Sequence, residues 1–183
     1  NRGEVQLNAN NISGIPVFQI SAEAAKAMAN GAKCHVVLDL LPDFSEELLI
    51  SYMKQRISTG GYKSAVNFLT GLFAKKLSEV LCDRCKFSKK LTAEKFTEDD
   101  ITNLCKQIKN FKIQIYGTNG FEYAQCCGGG VSLEEVDPLT MESLKVPGLY
   151  FCGELLDVHG DCGGYNLQWA WTSGYLAGKA IND

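Results

Sequence analysis

Residues 146–183 constrain the fold more than any other stretch. After Val146-Pro147-Gly148 come four apolar residues, Leu149 to Cys152, then Gly153-Glu154, a loop holding Gly160, Gly163 and Gly164, and an apolar-striped segment from Tyr165 onward. This order predicts a turn, a short strand, a glycine-rich loop and a helix. The 149–152 run is apolar on both faces, which suits a strand covered on both sides. Gly153 lets a ligand approach the backbone, and Glu154 offers a carboxylate that accepts from hydroxyl groups. A helix opening near Tyr165 and Asn166 turns its unpaired N–H groups and the positive end of its dipole toward whatever lies over Gly163 and Gly164. Such an end favours an anionic or electron-rich group. Leu167, Ala170, Trp171, Gly174, Ala177, Gly178 and Ile181 form the stripe of that helix, and Trp169 and Trp171 read as packing residues.

A chain of 183 residues can bury a core as one domain or two small ones. Its net charge of −3, with both signs interspersed, offers no stripe for nucleic acid and no polybasic membrane patch. No run approaches the roughly 18 apolar residues of a spanning helix, and no signal segment opens the chain, so a cytoplasmic protein is expected. Cysteines stand at 34, 82, 85, 105, 126, 127, 152 and 162, an irregular spacing that reads as reduced thiols. Cys82 and Cys85 make one C-x-x-C pair; with only His35 and His159 to add, no metal site is expected, and the pair reads as thiols at a helix end. G-x-G-x-x-G is absent. Gly128-Gly129-Gly130 is followed by no helical pattern and reads as a tight turn. The chain opens at Asn1 directly into strand-like sequence and is expected to be cut from something longer.

Taken in order, Val5 and Leu7 alternate with polar neighbours as a strand, and Asn8 to Asn11 and Ser13 to Pro16 are breaks. Ser21 is the expected cap of a helix over 22–29 that Asn30-Gly31 ends, and residues 34–40 read as a strand. Ser45, with Glu46 and Glu47 behind it, starts a helix to about Ile57. After Gly60-Gly61, apolar residues from Val66 to Leu81 recur at helical spacing, interrupted near Gly71. Thr97 to Asp100 resembles a capping box ahead of Ile101, Leu104, Cys105 and Ile108. Phe111, Ile113 and Ile115 alternate as a strand, and 121–126 is expected to pair with it through a turn at Asn119-Gly120. The first strands and this hairpin would then share one sheet or small barrel, with the helices inserted.

Gly148 to Glu154, Gly163 to Trp171 and Ser173-Gly174 together resemble the C-terminal signature of BaiN/RdsA-type (YhiN-like) flavoproteins, NAD(P)/FAD-dependent oxidoreductases. Ala124-Gln125, Gly129 to Val131, Glu135 to Asp137 and Thr140 to Ser143 resemble the segment before it, and Gly3-Glu4 and Ile12 to Gly14 its insert-domain entry; between about 21 and 112 only the order of elements is similar. The resemblance implies an α+β chain: a small β-barrel-like insert domain with an inserted helical subdomain, then a strand-loop-helix of an incomplete FAD-binding Rossmann-like domain. The expected divisions are 1–44, 45–110, 111–145 and 146–183. Glu154 matches the position that binds the FAD ribityl chain, and Gly153, Gly163, Gly164, Tyr165 and Asn166 complete the cofactor contacts.

FAD is the implied cofactor, NAD(P)H the candidate electron donor and a small molecule the implied substrate, with no catalytic residue assigned. The adenine-nucleotide fingerprint would belong to an N-terminal region outside this chain, so these 183 residues alone are expected to be inactive and to hold no FAD tightly. Their last helix would self-associate. Cys162 and His159 read first as structural and surface residues, ahead of a flavin-adjacent thiol and a general acid. Cys126-Cys127 stands where Val-Thr is common in the family. The rival expectation is a cofactor-free binding domain that keeps a flavoprotein-like tail.

Overall fold

The computed structural model describes residues 1–88, 90–124 and 128–182, which divide into two compact units, 34–115 and the remainder. In the N-terminal piece, β1 (Gln6–Leu7) pairs antiparallel with β2 (Ile12–Ser13) across a turn closed by Asn8 N–H on Asn11 O. Helix α1 (Ile15–Ala29) begins seven residues before the expected start. Pro16 lies in its first turn, where a missing N–H costs nothing, so the expected break is a helix start. Ser21 is consequently inside the helix, its Oγ donating to Phe18 O rather than capping.

The 34–115 unit is a helical lobe on a two-stranded ribbon. β3 (Cys34–Leu38) is followed by α2 (Glu46–Gly60), α3 (Ala65–Phe68), α4 (Lys75–Arg84), α5 (Glu98–Lys109) and β4 (Phe111–Ile115). β4 pairs antiparallel with β3, Leu38 opposite Phe111 and Cys34 opposite Ile115. This corrects the expected 111–126 hairpin. The alternation of Phe111, Ile113 and Ile115 finds a matching strand at 34–38, whereas 121–123 is a single 3-10 turn whose Phe121 and Tyr123 are exposed. Residues 125–127, including Cys126-Cys127 and the end of the expected second strand, lie outside the described residues. Among the described residues the strands form two separate pairs rather than one sheet.

Local signals set the lobe's helices. Ser45 Oγ accepts from Leu48 N–H, and Thr97 and Asp100 form a reciprocal capping box. The expected 66–81 helix is two helices. Arg56 explains the gap: its guanidinium donates to Phe68 O and Thr70 O, carbonyls that a continuous helix would have bonded to its own backbone. Leu49, Met53, Phe68, Leu69, Leu81, Leu104 and Ile108 are fully buried together, each worth roughly 1.5–3 kcal/mol of transfer free energy. Lys109 Nζ, largely buried, ties α5 to the 39–44 loop through Leu41 O, Phe44 O and the Asp39 carboxylate.

Residues 128–182 build a smaller core from Val136, Met141, Leu156 and Ala177, with Tyr150, Phe151 and Trp169 against it. Its extended segments are short. Val131 bridges Leu156 in parallel, and Glu142 bridges Tyr150 antiparallel. Among the described residues the expected 149–152 strand is therefore extended but bonded along one side only, through Leu149 O and Phe151 N–H. Leu149 is 42% exposed, so this segment is not covered on both faces. The last element is α6 (Tyr165–Asn182).

Candidate functional site

Glu154 lies in a 3-10 turn, Gly153–Leu155, at the end of the extended 149–152 segment. It is exposed, and its carboxylate joins no hydrogen bond or ion pair among the described residues. Gly153 just before it is buried with φ +62°, left-handed backbone that favours glycine, and a methyl there would meet Ala170 Cβ at an ordinary contact distance of 3.5 Å. Both polar backbone groups of Gly153 are engaged: the N–H donates to Ser173 Oγ at 2.9 Å, and the carbonyl accepts from Trp169 Nε1 at 3.2 Å. Gly153 thus offers a ligand its lack of side chain, not a donor.

The glycine turn at 128–130 is brought to the same place. Val131 N–H donates to Leu155 O, Asp157 N–H returns to Val131 O, and Gly129 N–H donates to Asp157 Oδ1 at 3.1 Å. A side chain at Gly130 would meet Leu155 O at 2.6 Å. Gly129 to Val131 and Leu155 to Asp157 therefore line up side by side, an association that the sequence left open.

At the start of α6, Gly163 and Gly164 have φ +138° and +94°, and the space beside Gly164 is open to 4 Å. Tyr165 is 65% exposed. The Asn166 side chain is spent on the fold, since its Oδ1 accepts from Gly160 N–H at 2.7 Å and its Nδ2 donates to Gly160 O at 3.2 Å, closing the 160–166 loop. Only the backbone of Asn166 is left to meet a ligand. His159 is exposed and Cys162 half-buried.

Three features of these groups are chemically compatible with a flavin: an exposed carboxylate with no partner among the described residues, an open surface beside Gly164, and first-turn N–H groups that have no carbonyl of their own helix. Ser173 and Trp169 are the residues whose roles the sequence did not reveal. The available signal was Ser173 at i+3 from Ala170 and i−4 from Ala177, since a hydroxyl buried beside them must find partners.

Other candidates lie in the lobe. Cys82 and Cys85 are buried at the end of α4 as free thiols. Among the described residues no three His, Cys, Asp or Glu side chains are grouped to hold a metal, and no helix is long and apolar enough to cross a membrane. A cavity of about 440 Å3, lined by Ala65, Asn67, Lys75, Cys82 and Phe87 among others, shares no residue with the Gly153-Glu154 region.

Two domain models and several curated proteins are similar to the chain. Residues 2–126 match the HI0933-like protein barrel and H2TH domain, and residues 104–180 match the HI0933-like protein Rossmann domain. The 3-dehydro-bile acid delta(4,6)-reductase of Clostridium scindens is 43% identical over 178 residues, taking in 97% of this chain and 44% of that protein. The ribosomal RNA dihydrouridine synthase of Haemophilus influenzae is 36% identical over 93% of this chain and 40% of its own length. Its Escherichia coli namesake is 34% identical over 80% and 36%. The chain thus spans less than half the length of these curated relatives. With one family domain matching residues 2–126 and a second 104–180, the chain belongs to the HI0933-like protein family.

Proposed function

We propose that this chain is the C-terminal part of an FAD-dependent oxidoreductase, in which residues 146–183 meet the ribityl chain and isoalloxazine ring and the preceding residues form the substrate-side insert domain. The observation that carries the reading is Glu154, exposed and without a partner among the described residues, on a turn pinned to α6. When bound, the flavin supplies hydride transfer. The chain's own residues bind and orient it. Glu154 accepts from ribityl hydroxyls, and charge-assisted bonds of this kind are roughly twice as strong as neutral ones. The backbone N–H groups at the start of α6 stabilise negative charge gathering on the ring, as fixed donors do in an oxyanion hole.

In this reading 1–44 and 111–145 belong to a barrel-like insert domain, 45–110 to its helical subdomain, and 146–183 to a Rossmann-like domain completed by sequence outside the chain. The face of α6 bearing Leu167, Trp171 and Tyr175, each more than 60% exposed, suits the helix-on-sheet packing of such a domain. Unpaired, that face would drive the 183 residues to self-associate. The relatives' names, a reductase and two dihydrouridine synthases, agree with a reductive direction. A small unsaturated organic molecule is the proposed substrate and NAD(P)H the proposed donor.

The test is purification of the full-length protein with bound flavin, followed by Glu154→Gln. That change is expected to weaken FAD binding about tenfold, the equivalent of one charge-assisted hydrogen bond. A full-length protein that takes up no FAD would favour the cofactor-free binding domain instead. Bleaching of the flavin by NADPH or NADH checks the donor.

A further inference from the structure

The two peptide groups that flank Gly153 Cα are each held by a side chain of α6. The N–H belongs to the 152–153 peptide and donates to Ser173 Oγ; the carbonyl belongs to the 153–154 peptide and accepts from Trp169 Nε1. Pinning both planes fixes φ and ψ of Gly153 together, and with them the direction in which the chain leaves toward Glu154.

The direction at Gly153 is fixed. A backbone N–H can only donate, so Ser173 Oγ accepts from Gly153. The single hydroxyl proton then turns back into α6, with Trp169 O at 2.7 Å as the nearer acceptor and Ala170 O at 3.4 Å. Ser173 is completely buried, and Trp169 packs on the Val136–Met141–Leu156–Ala177 core. Both anchors are thereby held against the core, while Glu154 has no partner among the described residues to orient it. Glycine is required at 153 by its positive φ, so without the clamp this position would be the most pliable in the turn.

We infer that Ser173 and Trp169 are positioning residues for Glu154: by holding both peptides of Gly153 they aim the Glu154 carboxylate at the hydroxyl-bearing chain of the cofactor. The inference rests on the flavin reading above. It predicts coupling. Removing a clamp should matter for FAD only as long as Glu154 is there to be aimed.

The experiment titrates FAD into the full-length apoprotein, following flavin fluorescence, for the wild type, Glu154→Gln, Ser173→Ala, Trp169→Phe and each clamp variant combined with Glu154→Gln. Thermal midpoints are measured in parallel. Trp169→Phe keeps an aromatic ring against the core and removes the N–H together with part of the indole, a loss the thermal midpoint registers, so the test survives a Ser173→Ala protein that fails to fold. Each clamp variant alone is expected to weaken FAD about three- to tenfold, and to weaken it less than twofold further when combined with Glu154→Gln. A purely structural role would lower the midpoint and cost the same factor in FAD affinity with or without Glu154, and that additive result would overturn the inference. A Glu154→Gln protein that binds FAD like the wild type would overturn the Glu154 assignment, and the aiming role with it. Wild-type protein without FAD affinity would sink the flavin reading itself.

Discussion

Gly130 shows how one missing side chain holds two segments together. With φ +152° and Leu155 O only 2.6 Å from where a Cβ would stand, it lets Val131 reach the Leu155 and Asp157 backbone. Gly130→Ala must push the 153–157 turn away or strain its own backbone. A loss of about 1–3 kcal/mol is expected in denaturant unfolding of the full-length protein, with weakened FAD retention. Gly128→Ala, which meets nothing within 4 Å, should be silent by both measures. A Gly130→Ala protein as stable as the wild type would mean that the two segments are not held in register by this contact.

At the scale of elements, α5 is the organiser of the lobe. Its N-terminus is closed by the Thr97–Asp100 box, and near its C-terminus Lys109 reaches two carbonyls and a carboxylate of the 39–44 loop. Thr97→Ala is expected to cost about 1 kcal/mol, the usual loss of a cap. Lys109→Met should cost more, about 1.5–3 kcal/mol, because it leaves Leu41 O and Phe44 O without their charged donor. Chemical denaturation of both variants checks the order. These caps could be read from sequence because Thr97 and Asp100, or Ser45 and Leu48, are three residues apart. Strand partners could not. β4 carries the same alternation whether it pairs with 34–38 or with 121–126, and the choice falls to the strand far away in sequence, whose Leu38 joins Phe111 and Ile113 on the lobe core. The candidate site divides along the same line. Glu154 and the Gly163-Gly164 entry were legible as a local motif. The Ser173 and Trp169 contacts to Gly153, and the Gly130 contact to Leu155, join positions 16 to 25 residues apart and carry no local signature.

For the whole molecule, the uneven distribution of core between the two units governs how it comes apart. The lobe of 34–115 is one continuous stretch of chain with, among the described residues, fifteen buried core residues, against four in the core of the other unit. Residues 34–115 expressed alone are therefore expected to unfold in a single cooperative transition. Three buried thiols report on that transition. Burial first, with the Asp83 charge behind it, pushes Cys82 up to about 11. Cys85 is pushed up to about 12 by burial and then by Cys82, Asp100 and Cys105, and Cys105 to about 11 by burial and Glu46. In the unfolded chain each ionises near the ordinary 9.0. A raised value in the folded state means that the stabilisation is fully present below pH 9.0 and is lost as pH climbs toward 11–12. Lobe stability should accordingly fall across that alkaline window, and Cys105→Ala should shallow the slope while lowering stability at neutral pH through the cavity it leaves. Alkylation read by mass spectrometry checks the same point on the 183-residue chain. At pH 8 the exposed Cys152 should be modified first, and Cys82, Cys85 and Cys105 only as the lobe unfolds. Labelling of those three at native temperature and pH 8 at the rate of Cys152 would show that the lobe opens far more readily than its core implies.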